Sequence, residues 1–423
     1  MRPKNLLRLF DHNPPPREFV TELFCNREEP MELGLSTLAG LPECAEILAV
    51  YGETRSGKSH FVRVLLDKLE RREGRVRVEV INANNRGVAR AVLQDVFLAL
   101  WRILHEEVRG VVGPSQRAGF EAFLDDLEQR RALVTSEVAE QSEEASDSVA
   151  TTAEAGVTVR TPGFEARAGD RTELRSGIGR RRVHRAPTDG ELVEFIRDEL
   201  DALRQHQVDR PLVLLVDDLD LLHRRGREGS EESARLVDRL KPIAEHPQIL
   251  VIVTVRAAYF NGRDKDFNDF VRLRLLSDDD LRAVYRRHVE LFHEGVEVFD
   301  EAALDVLVRA AKGRVGMFLK SCRDVSRFHA AQLRRRAAVG LDGVESFVRS
   351  ELDELRQNPD SLHLVPALER ALEGGQLEVE LPGDLQDTPL LYSVLHPVPG
   401  QPGRYAISPL WAAALRPRKV PPA

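Results

Sequence analysis

A chain of 423 residues, 42% hydrophobic and 31% charged, is long enough for two or three domains with cores of their own and needs no disulfide staples. Lys and Arg number 61 against 69 Asp and Glu, a net charge of −8, which argues against a protein that coats nucleic acid along its whole surface and leaves room for a local basic patch. Three scattered cysteines, Cys25, Cys44 and Cys322, have no metal-ligand spacing and suit a reducing compartment. No apolar run approaches the roughly 20 residues of a membrane span, and the N-terminus has no signal-peptide pattern; a cytoplasmic protein without membrane contact is expected.

Pro14, Pro15 and Pro16 make residues 6–16 an extended arm, since proline cannot continue a helix. A helix is predicted over 30–38, then a short apolar strand over 45–51 that stops at Gly52. After Ser59, the side chains of Phe61, Val62, Leu65, Leu66 and Leu69 share one helical face. Gly74 ends that helix, and the alternation of Val76, Val78 and Val80 predicts a second strand. Residues 84–108 read as a long amphipathic helix, with helical character continuing over 116–133. Residues 135–188 are rich in Ser, Thr, Glu, Ala and Gly and poor in large apolar side chains. They are predicted to be a polar insertion, partly disordered or a loose hairpin, whose second half carries Arg171, Arg175, Arg180, Arg181, Arg182 and Arg185. A helix is predicted over 189–205. Strands follow at 211–216, ending in Asp217-Asp218, at 248–255 and at 270–275. Ser277 and Asp280 have capping-box spacing for the next helix, and only helices are predicted from there to about Arg356. The tail reads as a β-hairpin of residues 390–396 and 404–407 about a Pro/Gly turn, with Ser408-Pro409 opening a last short helix.

The chemistry is concentrated in two places. Gly52-Glu53-Thr54-Arg55-Ser56-Gly57-Lys58-Ser59 fits the P-loop pattern G-x-x-x-x-G-K-[ST], with an apolar strand before it and an amphipathic helix after it. The glycines let the backbone wrap phosphates with N–H groups inward, and the helix start aims its positive end at the same place. Lys58 is expected to neutralise the β- and γ-phosphates and the Ser59 hydroxyl to ligate Mg²⁺. His60 continues the cofactor-binding stretch, and the cofactors are ATP, or a close relative, and Mg²⁺. The second place is Asp217-Asp218-Leu219-Asp220. An apolar strand ending in acids puts Asp217 at the carboxyl edge of a sheet, where it would hold Mg²⁺ directly or through water. Asp218 would orient or deprotonate the attacking water. The competing reading is a strand that meets solvent in two acids. Thr254, at the end of the 249–253 run, is placed to sense the γ-phosphate or hold the water, unless it is a β-branched residue chosen for strand propensity. Arg256 is either a phosphate sensor or a solvated strand-end charge.

This order of parts resembles the AAA+ superfamily over residues 22–81 and 189–336. Phe24-Cys25-Asn26-Arg27-Glu28-Glu29 is similar to the F-x-G-R-E-x box of the origin-recognition (Orc/Cdc6-like) and STAND ATPases, with Asn26 in place of the usual Gly. In those families the box packs near the adenine, which implies ATP. Asp217-Asp218-Leu219-Asp220 resembles the STAND and KAP ATPases, and an Asp where most AAA+ motors carry Glu implies slow hydrolysis. KAP proteins also carry insertions between the two motifs. The resemblance implies an α/β, three-layer P-loop core with a parallel five-stranded sheet, a helical lid and a small C-terminal α+β, winged-helix-like domain. The expected layout is an arm and first half of the core at 1–134, the insertion at 135–188, the second half at 189–276, the lid at 277–358 and the C-terminal domain at 359–423. AAA+ lids usually supply an arginine from a G-x-x-R helix start. Gly313-Arg314-Val315-Gly316 departs from that pattern and leaves Arg314 as the nearest candidate. Arg263, between the fourth and fifth strands, is a candidate for an arginine donated in trans.

The implied function is a Mg²⁺-dependent ATPase that acts as a slow switch on a protein or nucleic-acid partner, as in bacterial defence or mobile-element control, assembled as a homo-oligomer or with a partner protein. The alternative is an Orc/Cdc6-like or transposition-regulator-like DNA-binding ATPase. There the hairpin, Arg416, Arg418 and Lys419, with the arginine runs at 180–182 and 334–336, would meet phosphates. A small-molecule P-loop kinase is disfavoured by the chain length and the helical lid.

Overall fold

The computed structural model describes residues 10, 21–24, 26–39, 47–73, 77–83, 88–153, 186–206, 212–222, 229–247, 249–267, 269–357, 365–373, 378–380, 395–397 and 404–414. In chain order the elements are α1 (Glu28–Ala39), β1 (Ile47–Gly52), α2 (Lys58–Glu73), β2 (Arg77–Asn82), α3 (Ala89–Ile103, prolonged by a π-helical turn Leu104–Val108), α4 (Pro114–Ala153), α5 (Asp189–Gln205), β3 (Leu212–Asp217), α6 (Gly229–Ala244), β4 (Ile249–Arg256) and β5 (Asp269–Leu273). The lid and tail follow as α7 (Asp278–His293), α8 (Glu301–Ala311), α9 (Val315–Phe328), α10 (Leu341–Gln357), α11 (Val365–Glu373), β6 (Glu378–Glu380), β7 (Leu395–Pro397), β8 (Arg404–Ile407) and α12 (Pro409–Ala414).

The first five strands form one sheet in the order β2-β3-β4-β1-β5. β1 runs parallel to β5, from Leu48 opposite Asp269 to Gly52 opposite Leu273, and β2 runs parallel to β3, from Arg77 opposite Leu212 to Asn82 opposite Asp217. The three inner strands are buried along nearly their whole length, because helices cover both faces of such a sheet; that is why they read as continuous apolar runs. The edge strands are only partly buried, and they leave Val80 and Phe270 about half exposed. Strand order, P-loop position and the run of helices after β5 make this the α/β P-loop core with helical lid that the AAA+ resemblance implies.

The chain divides into two compact units. One comprises Met1–Leu41, Ile47–Val76 and Ile252–Ala423, the other Pro42–Glu46 and Arg77–Val251. Residues 77–134 belong with 189–251, because α3 and α5 lie side by side, joined by an Arg90–Asp189 ion pair at 3.1 Å and a Phe97–Phe195 ring contact at 6.1 Å. Helix α4, predicted to fade near residue 133, runs to Ala153. Its polar second half contains no Gly or Pro and several good helix formers, so low hydrophobicity there does not mean loss of helix. The arginines from Arg171 to Arg185 lie outside the described residues, as do Arg416, Arg418 and Lys419.

In the first unit, the lid and the tail share one hydrophobic core. Leu281, Tyr285, Phe299, Leu307 and Phe318 of the lid are clustered with Val379, Tyr405, Ile407, Leu410 and Trp411 of the tail. The expected hairpin forms as antiparallel β7–β8, and β6 adds a third strand in the order β6-β8-β7. Three residues are too few for β6 to show a period of two in sequence. Phe10, from the N-terminal arm, is fully buried in this core and stacks on Tyr285 and Phe299, with ring centroids 5.8 and 6.0 Å away. The Tyr285 hydroxyl accepts from the Val298 and Phe299 N–H groups at 2.9 and 3.0 Å and donates to the Glu297 carboxylate at 2.8 Å, which satisfies a polar group that burial would otherwise penalise. Among the described residues no helix is long and apolar enough to cross a membrane.

Candidate nucleotide site

The P-loop starts where β1 ends. A Cβ on Gly52 would lie 2.7 Å from the Leu273 carbonyl oxygen of β5 and 2.9 Å from Ser56 Oγ, so only glycine lets the chain turn there. The Ser56 N–H donates to the Glu53 carbonyl at 3.1 Å, closing the turn. Arg55 and Gly57 then take left-handed conformations, at φ +62° and +92°. Helix α2 begins at Lys58, and the Phe61 N–H reaches the Gly57 carbonyl at 2.9 Å in its first turn. Lys58 is buried within the loop, and its ammonium donates to the carbonyls of Gly52 at 3.3 Å and Glu53 at 3.1 Å. Ser59 and His60 occupy the next two helical positions, while Glu53 and Thr54 are exposed at the loop's tip. A buried cation, a helix start and a tight backbone loop are a donor set for an anion.

Two walls hold this loop. The first comes from the N-terminal box. Arg27 is almost fully buried, and its Nη2 donates to the Ser56 carbonyl at 2.6 Å. Burial pulls the Arg27 guanidinium down to about 10 and the nearby Asp280 carboxylate opposes this, so it stays charged at neutral pH. Because a trans peptide points its C=O and N–H in opposite directions, holding the Ser56 carbonyl outward turns the Gly57 N–H to the other side. Asn26 donates through Nδ2 to Asp280 Oδ1 at 2.5 Å. Its φ is +55°, a conformation asparagine accepts more readily than other residues with a Cβ; this explains how Asn26 stands where the box usually has glycine. Asp280 also completes the predicted capping box with Ser277. Burial alone would raise its carboxyl, but the hydrogen bonds from Ser277 and Asn26 and the charge of Arg27 hold it below the usual carboxylate value. Phe24 packs edge-on to the His60 ring at 5.9 Å.

The second wall is the start of α9. Arg314 is its N-cap residue, with its guanidinium 4.0 Å from the Glu53 carboxylate. The Gly316 N–H donates to the Arg55 carbonyl at 2.9 Å. Thr254 is fully buried in β4, and Arg256 is the last residue of that strand. Arg263 makes an ion pair with Asp266 at 3.5 Å, its guanidinium 5.6 Å from the Tyr259 ring centroid.

The acids belong to the second unit. Asp217 is the last residue of β3 and is buried. Asp218 is left-handed at φ +56° and turns the chain into the short 3-10 helix Leu219–Leu221. Ser233 Oγ donates to the Leu219 carbonyl at 3.0 Å, which fastens this turn to α6, and Asp220 is buried within it. Sequence reasoning placed Asn26 and Arg27 only within a box near the adenine, and gave no site role to Asp280 or Gly316. The box carried a signal for Arg27, and the departure from G-x-x-R carried one for Gly316. Asp280 had none beyond its capping role.

No protein-family model matches this chain, and no curated protein matches it. Among solved structures, the chain is similar to the Walker-type ATPase PABY2304 of Pyrococcus abyssi, with 15% identity, 96% of this chain and 99% of that one covered and a TM-score of 0.39. It is also similar to the ORC2 protein of Aeropyrum pernix in its ADPNP–ADP complexes, with 14% identity, coverage of 96% and 95% and a TM-score of 0.43. Domain III of the Thermotoga maritima replication initiation protein DnaA has 14% identity, coverage of 78% and 96% and a TM-score of 0.39.

Proposed function

We propose that this protein binds ATP with Mg²⁺ and hydrolyses it slowly, as a switch that acts on a protein or nucleic-acid partner. The observation that carries the reading is the loop from Gly52 to Ser59: buried Lys58 at a helix start, Gly57 at φ +92°, and a backbone gripped from outside by Arg27. In this reading the loop N–H groups and Lys58 bind the phosphates. The Ser59 hydroxyl and the Asp217 carboxylate are hard oxygen donors and would hold Mg²⁺, which supplies charge neutralisation at the phosphates. Asp218 orients the attacking water and takes its proton on a carboxylate oxygen, with Thr254 holding the same water. Asp is shorter than Glu in that role, which favours slow turnover. Arg314, at the start of α9, is the lid's candidate for a phosphate contact. Arg256 and Arg263 are the candidates for donation to a neighbouring copy, so the active form would be a homo-oligomer.

The direct test is phosphate release from ATP across protein concentrations, with Mg²⁺ or with chelator. The reading expects Mg²⁺-dependent release whose specific activity rises with concentration. Release that needs no Mg²⁺ overturns the metal assignment, and constant specific activity from a monomer overturns assembly.

A second reading, a DNA-binding ATPase, draws support from the antiparallel β7–β8 hairpin beside short helices and from the exposed run Arg334–Arg336. A steep fall of DNA affinity with salt favours it, since each phosphate contact releases counterions.

A further inference from the structure

Lid helix α9 meets the phosphate loop backbone to backbone. Besides the hydrogen bond from Gly316 to the Arg55 carbonyl, a Cβ on Gly316 would sit 3.0 Å from Arg55 Cβ and 3.2 Å from its carbonyl oxygen. A side chain there must push the loop or the helix away. One residue earlier, Val315 covers the loop's second glycine, whose Cβ would lie 3.0 Å from Val315 Cγ1. Arg55 itself has left-handed backbone at φ +62°, a conformation that costs any residue with a Cβ and persists only where its surroundings fix it. Here α9 does the fixing. The Arg55 side chain reaches the same helix as its carbonyl, with Nη1 donating to Met317 Sδ at 2.8 Å. Burial lowers its guanidinium, with Asp324 opposing and Arg323 adding to the effect. The start of α9 is anchored in turn. Lys312 and Gly313 are both left-handed, and the Gly313 carbonyl accepts from the Leu276 N–H at 2.9 Å, just after β5.

We propose that Arg55 is a positioning residue that couples the phosphate loop to the lid, so that the seat of α9 depends on what fills the loop. The proposal rests on the reading of Gly52–Ser59 as a nucleotide loop. The physical link is the planar Arg55–Ser56 peptide. Its C=O and N–H move together, so a turn of this peptide toward a bound polyphosphate, in which the Ser56 N–H exchanges its bond to the Glu53 carbonyl for one to a phosphate oxygen, moves the carbonyl that holds Gly316, and α9 follows.

The test combines amide hydrogen exchange over α9 with calorimetry of MgATP binding. In the wild-type protein, MgATP should slow exchange in the first turn of α9. Gly316→Ala should weaken MgATP binding about tenfold, near 1.4 kcal/mol, and remove that protection. Adding Arg55→Gly to Gly316→Ala deletes the facing Cβ and should recover affinity by about threefold or more, a coupling that two independent defects do not give. Wild-type exchange in α9 that ignores MgATP overturns the proposal, even if Gly316→Ala fails to fold; so does a double variant no better than Gly316→Ala. Lys58→Ala separates the two layers. If it binds MgATP as wild type does, the nucleotide-loop reading falls and the coupling with it. If it loses binding while α9 exchange in the wild type is indifferent to MgATP, only the coupling falls.

Discussion

The Arg27 guanidinium donates to the Ser56 carbonyl at 2.6 Å in a buried setting, so the conformation of the phosphate loop depends on a residue well ahead of it in sequence. Arg27→Ala strands that carbonyl without its donor, at a cost of about 1–3 kcal/mol. MgATP affinity should therefore fall about tenfold or more by calorimetry, with Arg27→Lys intermediate. Wild-type affinity in Arg27→Ala would mean that the loop holds its shape unaided.

Asp218 offers a clean substitution. Asparagine accepts left-handed backbone, so Asp218→Asn should leave the turn after β3 in place at φ near its present +56°. An amide cannot take a proton from water, and general-base losses are typically about 10²–10⁴-fold. Phosphate release should drop by about 10²-fold or more while MgATP still binds. Asp217→Asn should instead raise the Mg²⁺ concentration needed. Unchanged turnover in Asp218→Asn would remove it from the chemistry.

Phe10 fills the lid core against Tyr285 and Phe299. Phe10→Ala leaves a cavity among fixed neighbours and should cost about 3–5 kcal/mol, read as a lower urea midpoint with Trp411, in the same core, as fluorophore. A loss under about 1 kcal/mol, the scale of surface changes, would show that the arm does not anchor there.

Two buried groups give opposite pH signatures. Burial, aided by the charge of His60, pulls His288 down to about 3. The unfolded chain takes up a proton near 6.5 that the native fold refuses, so this contribution is whole above about 6.5 and is lost as pH falls toward 3. Glu199 is fully buried, and neither carboxylate oxygen has a hydrogen-bond partner among the described residues. Burial raises it well above the ordinary value, against the pull of Arg130. Its contribution is whole below the unfolded value of about 4.3 and is lost as pH rises toward the folded value. Glu199→Gln should therefore raise Tm near pH 7 and change it little near pH 4, while His288→Phe should flatten Tm between pH 6 and 4. Shifts in Tm that are the same at every pH would contradict both assignments.

The parts of this molecule that announce themselves in sequence are those where physics demands a local pattern. Inner strands buried on both faces must be continuous apolar runs, so Ile47–Gly52, Leu212–Asp217 and Ile249–Arg256 are legible to within a residue or two. A phosphate loop must place glycines and a lysine at fixed spacing. Ser277 and Asp280 must be three apart to cap α7. The contacts that shape the loop have no such rule. Arg27 reaches Ser56, and Gly316 reaches Arg55, through tertiary packing; the box and the broken G-x-x-R pattern mark one end of each contact, but nothing in the chain marks which residue it meets. The grouping of α3 with α5 is hidden in the same way, since α4 and the segment after it separate them. The long extent of α4 is obscured for another reason: polarity by itself does not end a helix, and its second half contains no Gly or Pro that would.

The central claim is that the loop from Gly52 to Ser59 binds a nucleoside triphosphate, and the most direct measurement is calorimetric titration of MgATP into wild-type and Lys58→Ala protein, with thermal unfolding as a check on the fold. Wild-type protein should bind with one site per chain, and Lys58→Ala, folded to the same Tm without nucleotide, should lose about 10²-fold or more in affinity because the phosphate charge is left uncompensated in the loop. Equal affinity in the two proteins, or no binding to the wild type, would contradict the account.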